Sequence, residues 1–276
     1  MNIEKIKQKY LKQGYTNANA TAKVCQDIIL KKISESIYLK NVTIKGGVVM
    51  HSISNDKRRA TRDVDIDFIK YSLDTNAIIR FIEKLNNNCD GIFIKMDGIP
   101  EKLHHQDYDG KRVNVIIKDS YNNVISTKLD IGIHKNMDIM QEEYCFELKE
   151  INTVATLFIN SPEQIILEKV KSLLKFGILT TRYKDIFDIY YLVNNMNINK
   201  EKFNKYIFEI IYTEKNSKEK NIEDVINKLE KIFYNKVFVN NLKKVKNNWI
   251  DIPIENILKN ILNFFNSLDK GECNLG

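Results

Sequence analysis

The chain has 276 residues, 43% apolar and 29% charged, with a net charge of +7. That balance excludes a disordered or collagen-like chain, and only 3 prolines and 10 glycines argue against a loop-rich all-β fold. The basic excess, with a pI of about 9.0, suits a polyanionic partner such as nucleic acid. Four scattered cysteines (Cys25, Cys89, Cys145, Cys273) form neither a C-x-x-C zinc pattern nor a disulfide framework. The first residues carry no signal-peptide core and no apolar run approaches a membrane span, so the expectation is a reduced, cytoplasmic protein without a membrane partner.

Periodicity predicts a short amphipathic helix over residues 3–12 and a longer one over 17–38, with Val24, Ile28, Ile29, Ile33 and Ile37 near helical spacing. Residues 42–45 read as a strand entering a Gly46-Gly47 turn, and a helix is expected to start from that turn over 48–54. Successive glycines let backbone N–H groups approach an anion, and a helix N-terminus adds its dipole. The connection 55–62 carries Lys57, Arg58, Arg59 and Arg62, which suits either a solvated surface or phosphate contact.

Asp63, Asp65 and Asp67 alternate with Val64, Ile66 and Phe68, which is the period of a strand with three carboxylates on one face. Like charges this close call for a cation, a proton or water. A hard divalent cation takes one or two carboxylates together with substrate phosphates. By itself the D-x-D run fits a solvated acidic strand or a metal–triphosphate site; the Gly-Gly turn upstream favours the second.

A helix is expected over 72–85, striped by Ile78, Ile79, Ile82 and Leu85. From Gly91 to Ile133 the pattern becomes β, with strands over 92–96, 112–118 and 124–134 and turns at Asp97-Gly98, Asp109-Gly110 and Asn122-Asn123. Asp130 in the last strand reads as a routine strand carboxylate, or, beside the D-x-D strand, as a third metal carboxylate. The His104-His105 pair lacks the i, i+4 spacing of helical zinc ligands and is read as non-metal.

Ser161-Pro162-Glu163 is a helix start, and Gly177 is its stop. Lys169 lies on that helix's apolar stripe with Ile165, Ile166 and Leu173, so its ammonium must snorkel or meet an anion. Asp185 and Asp188 share a face of the next helix, with Arg182 one turn before Asp185. Helices then follow over 201–213, 219–236, 238–247 and 254–268, with a loop near 217–221 and a frayed end over 270–276. Two domains are expected, 1–159 mixed and 160–276 helical.

Gly46-Gly47 followed by R-A-T-R-D-V-D at 59–65 resembles the G-G … R-x-[ST]-x-D-x-D signature of the AbiEii/AbiGii toxin nucleotidyltransferases, members of the polymerase-β-like superfamily. E-K-V-K-S-L at 168–173 and R-Y-K-D-I-F-D-I-Y-Y-L at 182–192 resemble the family's third and fourth motifs. The resemblance covers about residues 41–193. It implies an α+β fold, a mixed-sheet core with flanking helices followed by a C-terminal helical bundle that contributes active-site residues.

The resemblance further implies transfer of an NMP from an NTP to an acceptor hydroxyl. Mg²⁺ or Mn²⁺ would be held by Asp63 and Asp65, with Asp130 as third carboxylate. Lys169 would contact the triphosphate and Asp185 would be the fourth-motif acid. Gly46, Gly47, Arg59, Thr61, Arg182 and Asp188 would line the nucleotide. Many superfamily members have Gly-Ser where this chain has Gly46-Gly47, which leaves phosphate contact to backbone N–H groups and to Ser52 or Thr61. The R-x-T-x-D-x-D spacing selects Asp63 and Asp65 over Asp67 as the metal pair. Proteins like this are toxins paired with a separately encoded antitoxin in bacterial defence against phage; some relatives modify tRNA 3′ ends and others are described as GTP-binding. RNA such as tRNA is the expected acceptor. A small antibiotic-like acceptor, a catalytically silent nucleotide-binding module and a metal-dependent nuclease are the alternatives. The net charge of +7 leans against the first, the intact Asp63/Asp65 pair and Lys169 against the second, and the Gly-Gly turn against the third.

Overall fold

The computed structural model describes residues 1–86, 90–103, 110–245 and 248–268. The chain divides into two compact units, Met1–Asn160 and Ser161–Gly276. His104-His105, Asp109 of the expected Asp109-Gly110 turn, Cys89, Cys273 and the expected frayed end lie outside the described residues.

The first unit is α+β. Helices α1 (Ile3–Lys12) and α2 (Asn17–Ser34) precede β1 (Val42–Lys45), α3 (Gly46–Ser54), β2 (Val64–Phe68) and α4 (Thr75–Lys84). Strands β3 (Ile92–Lys102), β4 (Lys111–Asp119), β5 (Val124–Ile133), β6 (Glu142–Leu148) and β7 (Thr153–Ile159) follow. All seven strands form one mixed sheet in the order β3-β4-β5-β2-β1-β7-β6. β2 runs parallel to β5 and β1 parallel to β7, while the remaining neighbours are antiparallel. Alternation sorts the side chains. Ile44, Ile66, Ile94, Val113, Val115, Ile117, Leu129 and Ile131 are buried on one face, against which α2 packs on β5 and β7, and α4 on β3.

The described helix α2 ends at Ser34, earlier than the predicted 38, and Ile37 is 70% exposed. Asp97-Gly98 is not a turn. β3 continues to Lys102 through a register shift between Asp97 and Glu101, with Gly98 at φ +78°, so the glycine serves a β-bulge. β6 and β7 have no counterpart among the predicted elements. They form an antiparallel pair joined through Asn152, at φ 52°, a conformation Asn tolerates better than most residues.

The second unit is helical: α5 (Pro162–Phe176), α6 (Tyr183–Asn195), α7 (Lys200–Ile207), α8 (Ile222–Phe233), α9 (Lys236–Lys243) and α10 (Ile254–Asn266). α5 begins as its sequence dictates. The Ser161 hydroxyl accepts from the Gln164 N–H at 3.3 Å and Pro162 occupies the first turn. Phe187, Phe203, Phe238 and Phe265 are fully buried, and truncating any of them to alanine costs about 3–5 kcal/mol. The predicted helix 201–213 is divided, with π-helical geometry over 208–212. Among the described residues no helix is long and apolar enough to cross a membrane.

Candidate active site

β1 ends at Lys45, and α3 starts at Gly46 with no side chain capping it. Gly46 has φ +65°, and a Cβ there would lie 2.1 Å from Asp65 Oδ2. A Cβ on Gly47 would lie 2.6 Å from the Thr61 side chain. The two glycines therefore let a carboxylate and a hydroxyl of this same chain close onto the turn. The Gly47 N–H also hydrogen-bonds the Asp65 carboxylate. The turn predicted to receive a phosphate already receives Asp65.

Register places five charged residues in one row across five strands, the outermost being Glu101 on β3, opposite Arg112. Lys45 on β1 faces Asp65 on β2, Asp65 faces Asp130 on β5, and Asp130 faces Arg112 on β4. Directly opposed residues share a face of the sheet. Arg112 grips Asp130 with both prongs, Nε to Oδ1 at 2.8 Å and Nη2 to Oδ2 at 2.7 Å, the geometry that makes Arg–carboxylate pairs strong. Lys45 Nζ lies 2.6 Å from Asp67 Oδ1, with both side chains buried, as an ion pair rather than an aligned hydrogen bond. Asp67 is thus committed to Lys45.

Asp65 is the group under electrostatic stress. Burial, followed by the charges of Asp130 and Asp63, pushes its carboxyl up to about 6, against the opposing pull of Lys45 and the Gly47 N–H. The hydrogen bonds it donates to Asp130 raise the Arg112 guanidinium above its usual range, with burial opposing and the negative charge of Asp130, Asp63 and Asp65 adding. Among the described residues no three Asp, Glu, His or Cys side chains are grouped as a ready metal-ligand set. Asp130 in particular is turned to Arg112 rather than toward the other two carboxylates' shared charge.

The remaining first-unit residues support this turn. Arg59 is buried beside it, and the Thr61 carbonyl accepts from Gln26 Nε2 at 2.9 Å. Ser52 faces Tyr144 across 3.2 Å. His51 on α3 lies 3.1 Å from the Tyr15 hydroxyl, and burial with the nearby Lys23 and Arg59 pushes it down to about 4, so it is neutral at pH 7.

The second unit carries the other predicted set. Lys169 Nζ lies 2.7 Å from Asp185 Oδ1 and 2.8 Å from Asp188 Oδ2. Asp188 is fully buried. Arg182 is 3.9 Å from Asp185 and donates to the Ser172 hydroxyl at 3.2 Å. The choice posed by Lys169 on an apolar stripe is resolved: its ammonium does not snorkel but meets two carboxylates of α6.

A family model described as "Nucleotidyl transferase AbiEii toxin, Type IV TA system" matches residues 28–247. The chain belongs to this family. It is an AbiEii nucleotidyltransferase of the type IV toxin–antitoxin kind, and the family match spans both units. The crystal structure of an antigenic nucleotidyltransferase-like protein from Paracoccidioides brasiliensis is similar at TM-score 0.46 and 14% identity, over 82% of this chain and 93% of that one. At that distance the likeness carries no argument. No curated protein matches the chain.

Two residues of this candidate site were missed in the sequence, Lys45 and Arg112. Each is a single cation in an alternating strand, a pattern shared with many solvated strand residues. Only cross-strand register shows that they flank the carboxylates.

Proposed function

We propose that this AbiEii toxin transfers a nucleotide from an NTP to a hydroxyl of RNA such as tRNA, with Asp63 and Asp65 as the metal-binding pair. The observation that carries the reading is Asp65, a carboxylate fixed on the glycine turn by the Gly47 N–H, whose burial, with the charges of Asp130 and Asp63 beside it, pushes its carboxyl up to about 6. Such surplus negative charge on hard oxygens fits Mg²⁺ or Mn²⁺, which take one or two carboxylates and leave positions for phosphate oxygens. When bound, the ion would supply neutralisation of the triphosphate charge.

The chain's own residues divide the rest. The N-terminal turn of α3 offers its dipole to a phosphate. Arg112, anchored by Asp130, presents a permanent positive charge beside Asp65, suited to phosphoryl oxygens. Asp130, with both oxygens accepting from Arg112, is a positioning residue here; joining the metal would require Arg112 to release it. Lys169 is the proposed triphosphate contact and Asp185 the residue that holds its ammonium, with Asp188 beneath them and Arg182 at the rim. A separately encoded antitoxin would oppose the activity.

The test combines the protein, Mg²⁺, each labelled NTP in turn and total tRNA. Label is expected on RNA and is expected to vanish in Asp65→Ala. Nucleotide binding with no transfer to RNA, or transfer unchanged in Asp65→Ala, would refute the reading.

A further inference from the structure

The face of the sheet that carries Asp65, Asp130 and Arg112 continues onto β3, β4 and β5, where its described side chains are half-buried or exposed. Its rows follow from register: Asp97, Asn114 and Lys128, then Lys95, Ile116 and Ser126, then Phe93, Lys118 and Val124. Phe93 is 55% and Val124 57% exposed. Lys95, Lys118 and Lys128 are exposed, and among the described residues none of the three is ion-paired. The opposite face of the same strands is filled by Ile94, Val115 and Ile117. Lys128 precedes Leu129, the partner of Val64, so it stands level with Asp63 at the entrance of β2. From Asp130 to Val124 the surface extends about 20 Å along β5.

We propose that this face is the track on which the acceptor RNA strand lies, leading its end to the carboxylates. The inference rests on the nucleotidyl-transfer reading and adds the acceptor's binding surface to it. Three lysines with no ion pair among the described residues, against the two carboxylates Asp97 and Glu101, leave the face net basic where a phosphate backbone would run. Phe93 supplies a flat apolar surface of the kind on which bases stack, and single-strand binding combines such stacking with a basic groove. A protein partner, or a second copy of this chain, is the poorer fit. The row with most exposed apolar surface has Lys118 at its centre, between Phe93 and Val124, whereas the cores of protein interfaces are depleted of lysine.

The experiment measures label transfer to tRNA and fits KM for RNA and NTP separately, in the full chain, for wild type, Lys95→Glu/Lys118→Glu and Phe93→Ala. The double variant is expected to raise the RNA KM at least tenfold and to flatten its salt dependence, because each lost phosphate contact removes a released counterion. Phe93→Ala is expected to raise it three- to tenfold. The NTP KM stays within twofold in both. Lys95→Gln/Lys118→Gln carries the same test should charge reversal unfold the protein. RNA KM and salt dependence unchanged in an enzyme that does label RNA overturns the track alone. A wild type that labels no RNA overturns the functional reading together with it. Loss of a dimer in the variants, with RNA KM unchanged, would mark the face as an interface between copies and overturn the track.

Discussion

The two predicted acidic sets differ in how their charge is balanced. On the sheet, Asp67 is paired with Lys45 and Asp130 with Arg112, while Asp65, buried beside the charges of Asp130 and Asp63, has its carboxyl pushed up. On the helices, Asp185 and Asp188 face Lys169 and Arg182, and the account is neutral. The first arrangement stores electrostatic cost that an added cation would relieve; the second is already satisfied by the chain itself. Binding sites commonly hold such perturbed groups, as structural ion-pair networks also can; what separates the two sets is the balance of charge. The contrast therefore assigns the two regions different dominant roles, chemistry to the sheet and cohesion to the helices.

The sharpest break of that contrast is Asp65→Asn. It removes the stressed charge, so transfer should fall about a thousandfold, equivalent to about 4 kcal/mol of barrier. The same change should stabilise the fold at neutral pH. A carboxyl raised from 3.8 to about 6 in the folded state binds more protons folded than unfolded across that interval. Its contribution to stability therefore falls as pH rises from about 4 to 6 and stays low above, a cost of about 1–3 kcal/mol. In metal-free buffer at pH 8, Asp65→Asn should melt above wild type, and the gap should close toward pH 4. A variant that melts below wild type at pH 8 would show that Asp65 is held for stability instead.

The helical set should respond in the opposite sense. Lys169→Ala removes the ammonium that lies 2.8 Å from the fully buried Asp188, and breaking a buried pair from one side costs about 3–5 kcal/mol. Lys169→Met with Asp188→Leu should recover most of that in urea unfolding, because the buried charge is gone. The recovered variant then separates cohesion from chemistry. Transfer still lost in a fold of normal stability supports Lys169 as the triphosphate contact; transfer regained leaves the lysine a purely structural role.

How much of this was legible in the sequence depends on whether the signal was local. The strand–glycine turn–helix–D-x-D order could be read residue by residue, because glycine pairs and period-two carboxylates are contiguous patterns. The Ser161 cap and the Gly177 stop were legible for the same reason. Lys45 and Arg112 were not, since their meaning comes from β1 and β4 lying beside β2 and β5 in a particular register, which neither strand encodes alone. The partners of Lys169 were half legible. Its place on an apolar stripe demanded an anion, but nothing local named Asp188 as one. The glycine turn was found correctly and explained incompletely: Asp65 and Thr61 account for its missing side chains.

The smallest expected effects come from two glycines that share a positive φ and differ in surroundings. Gly46 has φ +65° and Gly177 has φ +55°. Alanine at either is strained by about 1 kcal/mol. At Gly177 a Cβ would meet nothing within 4 Å, so Gly177→Ala should lower stability by that amount and leave transfer unchanged. At Gly46 the Cβ would arrive 2.1 Å from the Asp65 carboxylate oxygen, the movable end of a side chain. The fold can accommodate that by swinging Asp65 away, at a stability cost near that of Gly177→Ala. The carboxylate then leaves the Gly47 N–H, so transfer should drop by at least tenfold while the melting temperatures of the two variants stay within a few degrees. Equal activity in the two would mean that the position of Asp65 against the turn is immaterial to the reaction, and the distinction between the sheet set and the helical set would lose its basis.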